Sequence, residues 1–253
     1  MTGVQTCALP IYAVPHPHKI QLADICNVDA QKAEIVRNTA QFVKGFPANN
    51  VLLTGARGTG KSTLVKALLS EFSKSGLRII EVDKQDLVAL PDIVALISHR
   101  PERFIIFCDD LSFEASDPGY KALKVVLDGS ISATSENVLV YATSNRKHLM
   151  PEFMAENLET QYVGEEIRPG ETSEEKISLS ERFGLWLSFY AFDQDEYLRV
   201  AEHWLAQLGV KDFNEETRRA ALMFSLTRGA RSGRVAYQFA RDYAGRMALT
   251  AQK

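Results

Sequence analysis

One eight-residue motif constrains this chain more than any other feature. Residues 55–62 read G-A-R-G-T-G-K-S, which matches the pattern G-x-x-x-x-G-K-[ST] in full. The motif comes after a short apolar run at 51–53 and precedes a segment with apolar residues at helical spacing. Such a loop binds phosphate when it lies between a strand and a helix. The motif therefore predicts an α/β fold with a phosphate-binding loop after its first strand.

The residue types in this loop explain how it would hold a nucleotide. Glycines let successive backbone N–H groups wrap phosphate oxygens without a Cβ clash, and the helix N-terminus adds partial positive charge. We expect Lys61 to reach the β- and γ-phosphates and the Ser62 hydroxyl to ligate Mg²⁺. The residues predicted to bind the nucleotide are Gly55, Ala56, Arg57, Gly58, Thr59, Gly60, Lys61, Ser62 and Thr63.

The rest of the chain alternates apolar runs with helical segments. Short continuous apolar runs separated by helices are typical of strands buried on both faces of a parallel sheet. From residue 193 onward only helical spacing appears, which predicts a small helical C-terminal domain. The further predicted strands are 77–82, 104–108, 138–142 and 185–189, and the C-terminal helices are 194–208, 214–227 and 232–247.

Polar side chains come directly after two of these runs. Asp109 and Asp110 end the run at 104–108, at the carboxyl edge where parallel sheets bind ligands. We expect Asp109 to hold Mg²⁺ through water and Asp110 to polarise the attacking water. Asn145 comes after the run at 138–142 and could orient that water, because its amide is neutral and both donates and accepts.

Two arginine motifs complete the set of candidates. Arg182 lies in E-R-F-G, and Arg234 ends G-A-R-S-G-R at the start of the last predicted helix. A guanidinium group stays protonated and binds two oxygens at once, so arginine suits the charge on a transferring phosphoryl group. Without further context, each arginine is more typical of a solvated surface.

The ordered motifs resemble those of AAA+ ATPases, and the similarity covers nearly all of 20–246. It includes the stretch L-A-D-I-C-N-V-D-A-Q-K, which is similar to the segment that wraps adenine in that superfamily. Phrases such as F-C-D-D-L-S-F, Y-A-T-S-N-R and L-S-E-R-F-G-L-W-L-S-F-Y look like one bacterial family described only as ATP-binding proteins.

The resemblance implies a three-layer P-loop NTPase sandwich with a five-stranded parallel sheet in the order 5-1-4-3-2, followed by a helical lid. It implies a ring or partial ring in which Arg182 reaches a neighbour's nucleotide. It also implies Asn145 as sensor 1 and Arg234 as sensor 2, with Arg231 as the fallback. The expected divisions are an N-terminal segment with its helix (12–46), a nucleotide-binding core (47–191) and the lid (192–253).

Two residues depart from the superfamily pattern. Asp110 stands where glutamate is usual, and its shorter side chain predicts slow turnover, with Glu114 as a substitute for activating water. Asn27 stands where the adenine-wrapping segment often carries glycine, so the packing of the adenine is left open.

Composition excludes several other classes of protein. Lys and Arg number 29 against 32 Asp and Glu, so the net charge of −3 argues against a general polyanion binder, and nucleic acid is not indicated. No apolar run approaches the roughly 18 residues of a membrane span. Three cysteines are too few for a disulfide framework or a zinc cluster. We expect a cytoplasmic protein.

The first eleven residues, M-T-G-V-Q-T-C-A-L-P-I, fit none of the predicted elements. They lack the basic region of a signal peptide and look like the in-frame translation of a sequencing-library adapter. We expect residues 1–11 to be an artefact of cloning or assembly.

Two functions are consistent with these features. The first is hydrolysis of Mg-ATP by a homo-oligomer that remodels or loads a macromolecular partner. The alternative is a nucleotide-gated scaffold that binds ATP with little turnover, as the shortened Asp110 suggests. A small-molecule phosphotransferase is disfavoured, because it leaves E-R-F-G and the lid arginine unexplained.

The D-K-Q-D at 83–86 resembles a guanine-reading motif but precedes the acidic strand and lacks the asparagine, so ATP is favoured over GTP.

Overall fold

Helices and strands alternate along the computed structural model, which describes residues 11–16, 20–113, 117–128, 136–145, 161–163, 166–168 and 179–251. The α-helices are α1 (Asp29–Val43), α2 (Lys61–Phe72), α3 (Leu90–Ile97), α4 (Pro118–Asp128), α5 (Gln194–Gln207), α6 (Glu215–Arg228) and α7 (Gly233–Ala251). The strands are β1 (Val51–Gly55), β2 (Leu77–Val82), β3 (Arg103–Cys108), β4 (Val138–Ser144), β5 (Gln161–Val163), β6 (Glu166–Arg168) and β7 (Leu185–Phe189).

The main sheet has five parallel strands in the order β2-β3-β4-β1-β7. Read from the opposite edge, the order is β7-β1-β4-β3-β2. Because β7 is the fifth strand of this sheet along the chain, this is the predicted order 5-1-4-3-2, and the fold prediction is confirmed. β1 lies between β4 and β7 and pairs through Val51 with Tyr141 on one side and Leu185 on the other. β5 and β6 form a separate antiparallel pair.

Both faces of the sheet are covered by helices, which explains why the strands read as continuous apolar runs. Leu52 and Ile106 belong to a core that α3 and α4 complete. Leu53 and Ile105 point to the opposite face and pack with α1 and α2. Neighbouring residues of a strand point to opposite faces of the sheet, and here the residues on both faces are buried. Burying one leucine or isoleucine side chain completely stabilises the folded state by about 1.5–3 kcal/mol.

The three C-terminal helices enclose a third core of their own, around Tyr197, Leu205 and Phe239. Asp193 caps α5 by accepting from the backbone N–H of Glu196, and Asn214 caps α6 by accepting from Thr217. Caps of this kind are worth about 1 kcal/mol. The helices begin within one residue of the predicted positions, while α7 continues four residues further than predicted.

Two sequence expectations fall mainly on parts that the structure does not describe. Of the predicted artefact at 1–11, only Ile11 is among the described residues, and Glu114 lies outside them. Among the helices that are described, none is long and apolar enough to cross a membrane.

Candidate nucleotide-binding site

The loop after β1 is shaped by glycines that no other residue could replace without strain. Gly55 has φ +120°, and a Cβ there would lie 1.9 Å from the carbonyl oxygen of Phe189. Ala56 donates its backbone N–H to the same oxygen at 3.0 Å. Gly58 has φ +74°, and a Cβ there would lie 2.8 Å from Ser232 Oγ. The loop is thus held between β7 and the start of α7.

Lys61 lies inside this loop and is only 6% exposed. Its Nζ donates to the carbonyl oxygens of Gly55 at 2.9 Å and Ala56 at 2.7 Å, and to Asn145 Oδ1 at 3.0 Å. Burial lowers the pKa of Lys61, and the nearby carboxylates of Asp110 and Asp109 oppose that shift. An ammonium has three protons to donate, and all three are used here. A phosphate group at this position must therefore exchange with loop carbonyls.

The carboxylate of Asp109 collects three hydrogen bonds on one oxygen. Its Oδ1 accepts from Ser62 Oγ at 2.6 Å, from Thr143 Oγ1 at 2.6 Å and from the backbone N–H of Asp110 at 3.1 Å. The two residues predicted to hold Mg²⁺, Ser62 and Asp109, are therefore in direct contact.

Asp110 adopts a left-handed conformation with φ +51°, which is uncommon for residues other than glycine. Its Oδ1 accepts a hydrogen bond from Asn145 Nδ2. Because Asn145 Oδ1 accepts from Lys61, the three side chains form one continuous chain of hydrogen bonds. Strained residues of this kind occur preferentially at functional sites.

Thr143 is a residue of the site that we did not identify from the sequence. From the sequence we expected Asn145, just after β4, to orient the attacking water, and we assigned no role to Thr143. In the structure Thr143 contacts Asp109, whereas Asn145 contacts Asp110 and Lys61. The strand register holds the missing signal: Cys108 pairs with Ala142, so Asp109 comes opposite Thr143.

A cavity of about 710 Å³ opens between the loop, the N-terminal segment (the residues before α1) and the C-terminal helices. This volume lies within the range of ligand pockets, about 300–1,000 Å³. Polar residues of the loop and both aspartates belong to its lining. The apolar part of the lining includes Ile20, Ile25, Cys26, Phe192, Val200 and Trp204. The cavity therefore offers polar groups that can bind phosphate and apolar surface that can contact a ring.

Asn27 stands where the resemblance leads one to expect glycine, and its backbone conformation explains why asparagine fits there. It has φ +63°, the left-handed conformation that glycine adopts freely and asparagine tolerates. Its Nδ2 donates to the carbonyl oxygen of Glu196 at 2.9 Å, and its Oδ1 accepts from Arg199 Nε at 3.1 Å. Asn27 thus keeps the turn that a glycine would make and ties the N-terminal segment to α5.

The predicted arginines occupy different places. Arg234 and Arg57 line the cavity, while the fallback Arg231 is not among its described lining residues. Arg182 is likewise outside this lining, and its Nε donates to Asp128 Oδ1 at the end of α4. The start of α7 meets the loop directly, because the backbone N–H of Gly233 donates to the carbonyl oxygen of Gly58 at 2.9 Å.

The donor set fits a magnesium–nucleotide complex better than a metal held by protein alone. Mg²⁺ prefers oxygen ligands and is usually bound by one or two side chains together with substrate phosphates. Ser62 and Asp109 supply such oxygens beside the phosphate loop. Over the described residues, no group of three or more His, Cys, Asp or Glu could hold a metal ion.

Comparison with known proteins identifies a family for this chain but no characterised relative. The family model described as "Protein of unknown function (DUF815)" matches residues 5–247. No curated protein matches the chain.

Solved structures of AAA+ ATPases share the fold. A mutant of Thermotoga maritima RuvB gives a TM-score of 0.60 at 17% identity, over 92% of this chain and 67% of RuvB. A second RuvB mutant gives 0.55 at 17% identity, over 89% and 63%. The replication initiator DnaA, bound to AMPPCP and single-stranded DNA, gives 0.58 at 14% identity, over 88% and 64%. The chain thus spans about two thirds of the length of these proteins.

Proposed function

We propose that this chain, which belongs to the DUF815 family, binds Mg-ATP in the cavity between its loop and its C-terminal helices and hydrolyses it. The observation that carries the proposal is the contact of Ser62 Oγ with Asp109 Oδ1 at 2.6 Å, next to the buried Lys61. A hydroxyl and a carboxylate beside a phosphate loop are the protein groups that Mg-nucleotide sites require.

Each side chain has a distinct task in this proposal. Lys61 exchanges the carbonyl oxygens of its own loop for phosphate oxygens. Ser62 and Asp109 hold Mg²⁺, which would neutralise charge on the phosphates. Asp110 accepts the proton of the attacking water, with Glu114 as the alternative, and Asn145 orients that water. Arg234 reaches the phosphates from the start of α7.

The apolar part of the cavity lining suits adenine. It includes Trp204, whose ring would offer a surface on which a purine can stack. The turn at Asn27, just before α1, is bound to α5 through two hydrogen bonds. A nucleotide held by the N-terminal segment therefore also contacts the C-terminal helices.

We further propose that the active form is a homo-oligomer in which Arg182 acts on the nucleotide of a neighbouring copy. Arg182 contacts Asp128 and is not among the described residues that line its own cavity, which is consistent with a role in trans. An arginine supplied in trans accelerates phosphoryl transfer by about 10³–10⁵ in well-characterised NTPases. Hydrolysis would then remodel or load a macromolecular partner, in the cytoplasm.

One observation favours the second candidate, a nucleotide-gated scaffold. The Asp110 carboxylate is engaged by Asn145, and its side chain is one methylene shorter than glutamate. A site in which this contact persists with ATP bound would turn over slowly and act as a switch.

Binding of Mg-ATP to a Lys61→Ala variant tests the site. We expect affinity to fall at least tenfold, because the buried ammonium inside the loop is removed. Lys74→Ala, at an exposed position beyond α2, should bind like the wild type. Undiminished binding by Lys61→Ala would show that the nucleotide lies elsewhere.

A further inference from the structure

A single buried hydroxyl joins the two aspartates of the proposed site. Thr143 is 1% exposed at the end of β4. Its Oγ1 lies 2.6 Å from Asp109 Oδ1 and 2.9 Å from the backbone nitrogen of Asp110. The same nitrogen also donates to Asp109 Oδ1 at 3.1 Å, so the three groups form a closed triangle of hydrogen bonds.

The direction of both hydrogen bonds of the hydroxyl is fixed by chemistry. A backbone N–H can only donate, so Thr143 Oγ1 must accept from Asp110. Its one proton is then available for Asp109 Oδ1, which as a carboxylate oxygen can only accept. The hydroxyl therefore orients the carboxylate of Asp109 and the backbone of Asp110 at the same time.

The backbone of the same strand end reinforces this arrangement. The carbonyl oxygen of Thr143 accepts from the backbone N–H of Leu111 at 2.7 Å, and Ser144 Oγ donates to the carbonyl oxygen of Leu111 at 2.8 Å. Thr143 and Ser144, at the end of β4, therefore make hydrogen bonds to each of the three residues of the turn at 109–111. Asp110 lies in the middle of this turn with φ +51°, a conformation that must be stabilised by its surroundings.

We propose that Thr143 is a positioning residue: its hydroxyl sets the orientation of Asp109 toward Mg²⁺ and of Asp110 toward the attacking water. The proposal rests on the proposed function of the site. It differs from a packing role, because a methyl group at Oγ1 would fill the same volume without donating or accepting.

Thr143→Val and Thr143→Ser distinguish the effect of the hydroxyl group from the effect of side-chain volume. We expect Thr143→Val to raise the Mg²⁺ concentration for half-maximal ATP binding about tenfold and to lower kcat about tenfold or more, as losing a hydrogen bond to a charged group would. Thr143→Ser should restore both to within about threefold of the wild type, since serine keeps the donor and the acceptor.

Thr39→Val is the matched control for the loss of a buried hydroxyl. Thr39 is fully buried in α1, where Oγ1 donates to the Ile35 carbonyl at 2.7 Å and lies 2.9 Å from the Tyr141 hydroxyl. We expect Thr39→Val to lower the unfolding midpoint without changing the Mg²⁺ requirement of ATP binding.

The outcomes distinguish this inference from the function on which it rests. A wild-type chain that binds no ATP with Mg²⁺ would overturn both. A wild type that binds Mg-ATP, with Thr143→Val needing the same Mg²⁺ and keeping the same kcat, would overturn the role of Thr143 alone. Thr143→Ser behaving like Thr143→Val, or Thr39→Val changing the Mg²⁺ requirement equally, would do the same.

Discussion

The backbone N–H of Gly233 donates to the carbonyl oxygen of Gly58 at 2.9 Å, so the first residue of α7 is bonded to the phosphate loop. Arg234, the next residue, lines the cavity. A ligand that moves the loop must therefore also act on α7, and the C-terminal helices are coupled to the site by a contact that involves no side chain.

Gly58→Ala tests this coupling. A Cβ at position 58 would meet Ser232 at 2.8–2.9 Å, so α7 must move away from the loop. We expect Mg-ATP affinity to fall at least tenfold, in addition to a strain cost of about 1–2 kcal/mol in the free energy of unfolding. Gly76→Ala is the control, because Gly76 has φ +93° with no atom within 4 Å of the added Cβ. Equal ATP affinity in the two variants would contradict the coupling.

Asp110→Asn tests which carboxylate activates water. An amide keeps the shape of the side chain but cannot accept a proton from water at neutral pH. We expect phosphate release to fall at least tenfold, while Mg-ATP binding stays within about threefold of the wild type. Unchanged hydrolysis would assign the role to Glu114 instead.

Asp110→Glu separates the two candidate functions. For a hydrolysing enzyme we expect a rate within about threefold of the wild type, because the native geometry already serves catalysis. A rise of tenfold or more in phosphate release would show that the native side chain is detuned, and would favour the nucleotide-gated scaffold.

Asn27 should respond differently to glycine and to alanine. Asn27→Gly keeps the left-handed turn and loses the bonds to Glu196 and Arg199, whereas Asn27→Ala loses those bonds and also adds strain at φ +63°. We expect alanine to be less stable than glycine by about 1 kcal/mol or more in urea unfolding. Equal stability of the two variants would contradict a conformational role for position 27.

Asp128→Asn tests the contact that Arg182 makes with Asp128 of the same chain. The pair is partly exposed, with 41% of the Asp128 side chain accessible, so its loss should change stability by no more than about 1 kcal/mol. If Arg182 acts in trans, we expect half-maximal activity at a lower protein concentration, because a neighbour's nucleotide no longer competes with Asp128 for the guanidinium. A variant as inactive as Arg182→Ala would indicate that Asp128 is itself required.

The positions of the sheet strands were predictable, because continuous apolar runs are local signals, whereas the order of the strands was implied only by the resemblance to AAA+ ATPases. Ser62 and Asp109 were each predicted to hold Mg²⁺, and the topology brings the carboxyl ends of β1 and β3 to one edge, where the two side chains are in contact. The role of Thr143 was not predictable in this way, since it depends on the register of β4 against β3.

The backbone conformation and the contacts of single residues could not be predicted from the sequence pattern either. Asn27 reads as a departure from glycine, and only its φ of +63° shows that the turn is kept. The Asp128 partner of Arg182 lies 54 residues away in the chain, and no motif connects the two. Such pairs depend on tertiary packing, which periodicity and spacing do not encode.

The most direct test of the central claim is phosphate release from Mg-ATP as protein concentration rises, for the wild type, Arg182→Ala, Lys61→Ala and an equal mixture of the two variants. We predict that specific activity rises with concentration, is lost in each variant alone and partly returns in the mixture, where an intact loop meets an intact arginine. Undiminished release by Lys61→Ala, or tight ATP binding with no phosphate released at any concentration, would contradict an ATPase whose site is shared between copies.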